Sequence, residues 1–163
     1  MKIKNLSLAL ICICSTMGSF AQTSDAEAEA IVNLLGVQKK EVIAKLVSVS
    51  GKDSVAFWKI YNEYHQKNQA TAKTRMKLYE QTAHAYGNMT SVTADSLSKQ
   101  YFSNRNNQEK SLEEYYNKIK TATNAVIAFQ FYQAEVYLLT QIRASIMQQI
   151  PTYGQVHAAA KKN

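Results

Sequence analysis

The side chains able to do chemistry are few and scattered. The chain carries three histidines, His65, His84 and His157. A general base, or the base of a nucleophile–base pair, must lie within hydrogen-bond reach of the group it serves. His65 and His84 fall on one predicted helix, about 28 Å apart by helical rise, so they share no site within one chain. No His-Glu-x-x-His, Gly-x-Ser-x-Gly, glycine-rich phosphate loop or dinucleotide fingerprint occurs. These residues do not read as an enzyme, and no cofactor is implied. Glu80, His84 and Met89 form one local group of metal-ligand types. A carboxylate, an imidazole and a thioether would hold a soft or borderline ion weakly, short of the four ligands of a closed structural site.

What the chain offers instead is contact chemistry. Trp58, Tyr61, Tyr64, Arg75 and Tyr79 fall on one side of a predicted helix, and Arg143 lies on another. Tyr, Trp and Arg combine apolar area with polar adaptability, which suits a binding surface. They would equally fill the core of a helical bundle. A hydrolase would need a dispersed site and is the remainder among the function classes.

The elements that must position these residues are helices. Acid-to-base pairs four residues apart recur at Glu41–Lys45, Glu63–Lys67, Asp95–Lys99 and Glu114–Lys118, each in the orientation that supports a helix. Val49-Ser50-Gly51-Lys52-Asp53 and Val92-Thr93-Ala94-Asp95-Ser96 read as helix starts, with Ser50 and Thr93 as caps. Their similar layout hints at an old duplication. A third start falls at Thr123-Asn124, and Pro151 cannot continue the last helix. The spacing predicts helices over about residues 25–47, 51–86, 94–122 and 124–150, with Gly36 loosening the first. Gly87-Asn88-Met89 is a short turn, so the second and third helices fold back antiparallel.

The apolar stripes say which faces meet. The second helix carries Phe57, Trp58, Tyr61, Tyr64, Asn68, Ala72, Arg75, Met76, Tyr79, Ala83 and Tyr86 within one stripe. The third carries Leu97, Tyr101, Asn104, Gln108, Leu112, Tyr115, Ile119 and Ala122, spaced as in a coiled-coil seam. Antiparallel folding sets Tyr64 near Tyr115, Met76 near Asn104, Tyr79 near Tyr101 and Ala83 near Leu97, with Arg75 facing Asn104 and Gln108. The seam is therefore polar in its middle and aromatic at its ends. The fourth helix is apolar on two sides. One is Phe129, Tyr132, Val136, Leu139, Arg143, Ile146 and Ile150; the other is Ile127, Phe131, Leu138 and Ile142. Two partners are required, and either the first helix or a second copy of the chain supplies the other cover.

The first residues read as a secretory leader, with Lys2 and Lys4 ahead of a short apolar run and Ser19-Phe20-Ala21 as the cleavage pattern. Export to the periplasm or beyond is expected, with cleavage after Ala21, a single helical domain over residues 22–153 and a frayed tail over 154–163. Ile precedes both Cys12 and Cys14, which argues against an acyl anchor, and no stable membrane anchor is expected. Both cysteines lie in this leader, so the mature chain has no disulfide to hold it and relies on packing. Removing two of the 19 basic residues leaves 17 against 12 acidic ones, a charge of +5. The lysines wind around the second helix instead of forming one stripe, so no nucleic-acid partner is expected. One Pro and five Gly in 163 residues are too few for a fold rich in tight turns, and 163 residues make one domain. The class is all-α: an elongated antiparallel helical hairpin or bundle of about four helices.

With these elements in place, the chain resembles the Spy/CpxP class of small periplasmic all-helical proteins, and more closely the exported helical proteins of bacteroidetes-type bacteria grouped with them. The resemblance is carried by Phe57-Trp58-Lys59-Ile60-Tyr61-Asn62-Glu63-Tyr64, Val92-Thr93-Ala94-Asp95, and Phe131-Tyr132-Gln133-Ala134-Glu135 ahead of Ile150-Pro151. It covers roughly residues 27–153. It implies a bent helical hairpin, often a dimer, that holds unfolded clients without ATP or acts in envelope-stress or metal sensing. The leading expectation is thus a non-catalytic exported protein that binds unfolded polypeptide or a partner protein. The alternative is a periplasmic metal or signal sensor.

Overall fold

A computed structural model describes residues 36, 38–148 and 150. The leader and its cleavage point, the predicted helix start at Asp25, Pro151, His157 and the tail lie outside the described residues. Within them the chain is all helix with no strand. Helix α1 covers residues 38–46, α2 is Gly51–Ala85, α3 is Ser91–Ala122 and α4 is Ala125–Met147. A single 3-10 turn, Tyr86–Asn88, reverses the chain between α2 and α3. At about 1.5 Å per residue, α2 and α3 are rods of roughly 50 Å.

The helix starts show which caps the chain uses. Asn124 accepts hydrogen bonds from the amides of Val126 and Ile127, at 2.9 and 3.0 Å, as the sequence predicts. Thr123 turns its hydroxyl back onto the Ile119 carbonyl and closes α3. The cap of α3 is Thr90, not Thr93: the Thr90 hydroxyl accepts from the Thr93 amide, and Thr93 lies inside the first turn. Ser50 stands at the cap position of α2 but makes no side-chain cap bond. The physical reason lies one residue on. Gly51 takes φ of +56°, a conformation that glycine adopts without penalty, and it swings the chain into the helix from another direction. The two starts are therefore built differently, and the duplication hint loses its support.

The α2–α3 seam closes as its spacing requires. Tyr64 and Tyr115 meet edge to face at 5.4 Å, and Tyr79 and Tyr101 meet at 5.9 Å. Arg75 donates to Gln108, and Asn104 donates to the Thr71 carbonyl. Leu97, Asn104, Gln108, Leu112, Tyr115 and Ile119 are all buried on α3. Leu78 on α2 and Ser111 on α3 are buried too, and the predicted stripes omit both. Asp95–Lys99 and Glu114–Lys118 form as predicted, but Lys67 crosses to Glu114 on α3 instead of pairing with Glu63.

Helix α4 settles the question of its two sides. Ile127, Phe131, Leu138 and Ile142 are the buried side; Val42 and Ile43 of α1 and Val47 just after it pack with the first three, and Ile142 packs with Tyr79 of α2. On the other side Ile146 and Ile150 are buried, but Phe129 and Tyr132 are exposed. That stripe is core only toward its C-terminal end. Gly36 lies against α2: a Cβ there would meet the His65 ring at 2.3 Å, so a larger residue would force that side chain to move.

Candidate functional site

A polar belt crosses the bundle between two apolar clusters. Glu135 of α4 is fully buried at its centre. Lys39 of α1 lies 2.6 Å from its Oε2, and the Tyr64 hydroxyl of α2 donates to the same oxygen at 2.9 Å. Glu135 Oε1 and the Tyr61 hydroxyl are buried with no hydrogen bond of good geometry among the described residues. Burial first, and then the Glu135 charge, push both the Tyr61 and Tyr64 phenols well above the ordinary tyrosine range. Below Glu135 the belt continues through Asn68, which donates to the Ser111 hydroxyl, and through Arg75 and Gln108 at 2.8 Å.

A cavity of about 60 Å³ opens within this belt. Lys39, His65, Asn68, Arg75 and Gln108 supply its polar lining, and Met76, Leu139 and Ile142 part of its apolar wall. Burial, aided by Lys39, lowers the His65 pKa, so the ring stays neutral near pH 7. Burial likewise lowers the Arg75 pKa, and the neighbouring Arg143 guanidinium adds to that.

The six residues of the predicted binding surface do not form one open face. Tyr61 and Tyr64 are buried among other rings where α1 and α4 close over α2, and Tyr79 is buried against Tyr101 of α3 and Ile142 and Ile146 of α4. Trp58 is half-buried, with the Lys40 ammonium 5.5 Å from its ring centre. Arg75 and Arg143 are half-buried, and Arg75 lines the cavity. The metal-ligand group is also sparse. His84 and Glu80 stand 3.9 Å apart on the surface of α2, and Met89 lies beyond the turn. Among the described residues no three His, Cys, Asp or Glu side chains come close enough to hold an ion together.

Sequence reasoning omits two features. The first is the Lys39–Glu135 pair. Its signal is present: Glu135 and Arg143 are the sole charges of α4, and Glu135 falls one turn after Phe131 on the buried stripe. The second is a groove of about 490 Å³ between the outer sides of α3 and α4. Asn106, Glu109, Lys110, Glu113 and Tyr116 line it from α3, and Phe129 and Tyr132 from α4. Asn106, Glu109, Glu113 and Tyr116 follow a four–three spacing that Phe102 extends, a second seam on the side away from α2. Phe129 is 55% exposed and Phe102 67% exposed, far more than core phenylalanines. Among the described residues no helix is long and apolar enough to cross a membrane. Compared with known protein families, curated proteins and solved structures, the chain matches none.

Proposed function

We propose that this chain is an exported, periplasmic, non-catalytic helical protein that binds polypeptide, using the α3–α4 groove as its contact surface. The observation that carries this reading is the exposure of Phe129 beside Tyr132 and Tyr116 in a groove that the bundle itself leaves open. Contiguous exposed aromatic surface with a polar rim is the usual mark of a protein-contact site. The occupant that fits is a polypeptide segment bearing apolar side chains with polar or charged flanks, because Glu109, Lys110 and Glu113 line the groove beside its aromatic rings. The leader pattern and the resemblance to the Spy/CpxP class support the same reading, with an ATP-independent holding activity or an envelope-stress role as its finer form.

The test is aggregation of a chemically denatured client at stoichiometric amounts of the mature protein. Suppression by the wild type, largely lost in Phe129→Ser with Tyr132→Ser, is the expected result. No suppression by the wild type, or full suppression by the double variant, overturns the reading. A wild-type dimer in light scattering that Phe129→Ser converts to monomer also overturns it, since the groove would then serve a second copy.

A further inference from the structure

Among the described residues the cavity wall holds more positive charge than carboxylate. Lys39 and Arg75 line it beside one buried acid, Glu135, which receives both Lys39 and Tyr64 on Oε2. Arg75 bonds the neutral Gln108 amide and has no carboxylate partner among the described residues. A guanidinium offers five N–H donors, of which Gln108 takes one from Arg75. Desolvated charge without a counter-charge is costly.

We propose that the cavity lined by Lys39, His65, Asn68, Arg75 and Gln108 binds a small oxyanion, a carboxylate or a phosphate-type group. Its volume of about 60 Å³ suits one such group or a few waters. The planar Arg75 fork gives two parallel N–H donors to two oxygens of the anion. Asn68 already spends its amide on Ser111 and the Tyr64 carbonyl, so it holds the wall in place. His65 supplies a ring nitrogen at the α1 side, where Gly36 lies against it. The site lies away from the α3–α4 groove, so it stands or falls apart from the polypeptide-binding reading.

The experiment titrates the full mature chain with inorganic phosphate, sulfate or acetate against chloride at constant ionic strength. Heat of binding and the His65 proton resonances are the readouts. The expected result is saturable binding of at least one oxyanion and an upward move of the His65 titration with that anion present. Preference for acetate or for phosphate then separates carboxylate from phosphate-type ligands. Arg75→Met should weaken binding by about tenfold or more, and Arg75→Lys by less, since charge survives while the fork is lost. In chloride, Arg75→Met should unfold at a higher temperature than the wild type, a gain that saturating oxyanion reverses. No oxyanion binding beyond chloride, or an Arg75→Met protein that binds as the wild type does, overturns the proposal. If Arg75→Met fails to fold, the wild-type His65 titration decides: a curve identical in chloride and in oxyanion overturns it.

Discussion

At one end of the bundle Phe57, Tyr61, Tyr64 and Phe131 meet largely edge to face, and Val42 and Ile43 of α1, with Val47 just after it, close over them. At the other end, near the α2–α3 turn, Tyr79 packs with Ile142, Ile146 and Ile150 in a much smaller buried cluster. The polar belt separates the two. Four helices contribute to the first cluster, and α2, α3 and α4 contribute the described residues of the second. Large rings bury more area per residue than aliphatics, and four surrounding helices leave them less room to relax. The aromatic end should therefore carry most of the folding stability, and the belt and turn end should be where the molecule can open.

The largest expected effects test that asymmetry directly. Phe131→Ala should cost about 3–5 kcal/mol, because its fully buried ring touches three others and the hole cannot collapse. Ile142→Ala, beside the cavity at the other end, should cost nearer 2 kcal/mol, since its neighbours already border empty space. Chemical denaturation of both variants checks the ranking. Equal costs would mean that the two ends form one evenly stabilised core.

The belt gives the next effect. Lys39→Met strands the fully buried Glu135 without its cation and should destabilise by about 3 kcal/mol. Replacing both residues, Lys39→Met with Glu135→Leu, should recover most of that loss, because an apolar pair of similar size needs no desolvation. A double variant as unstable as the single one would mean that the carboxylate is needed by Tyr64 and Tyr61 rather than by Lys39. Amide exchange should also show α1 opening earlier in Lys39→Met, since this pair and the Lys40–Asn62 hydrogen bond are its polar ties to α4 and α2.

Helix starts give smaller effects that separate real caps from apparent ones. Asn124→Ala removes two amide acceptors and should cost about 1 kcal/mol. Thr90→Ala should cost slightly less, and Ser50→Ala close to nothing, because Ser50 caps no amide. Thermal unfolding of the three variants reads the order, and a Ser50→Ala loss as large as that of Asn124→Ala would contradict the geometry at Gly51.

These caps also mark how far the sequence alone reaches. Helix extents, the α2–α3 pairing of Tyr64 with Tyr115 and Tyr79 with Tyr101, and the burial of Asn104 and Gln108 follow from spacing, because period and turn length fix which faces meet. The start of α3 is displaced because Thr90 and Thr93 are both competent caps and sequence offers no means of choosing between them. The candidate surface on α2 reads as open because its aromatics suit contact and core equally, and only the position of α1 decides. The cavity depends on where Lys39, Arg75, Gln108 and Leu139, from four different helices, come together, a tertiary coincidence that no single-helix pattern encodes.

The smallest effect concerns the α1–α2 contact and acts through pH. His65 faces Lys39 and Lys40 from α1 and Glu135 from α4, and burial with the two lysines outweighs the carboxylate, lowering its pKa from the usual 6.5. Its folded-state pKa is then below the unfolded one, so in that interval the unfolded chain binds more protons. Stability contributed by neutral His65 is full above about pH 6.5 and falls as the pH drops toward the folded value, after which the loss is complete. The ring is only partly buried, so solvent screens the repulsion and the decline should be shallow. His65→Gln should flatten this portion of the stability–pH curve while leaving the carboxylate-driven loss at lower pH in place. If wild type and His65→Gln give superimposable curves between pH 5 and 7, the imidazole is freely hydrated and α1 does not press Gly36 against it. A difference confined to α1 amide exchange, with the turn end unchanged, would instead place the first opening of the molecule at α1, against the order that the two apolar clusters predict.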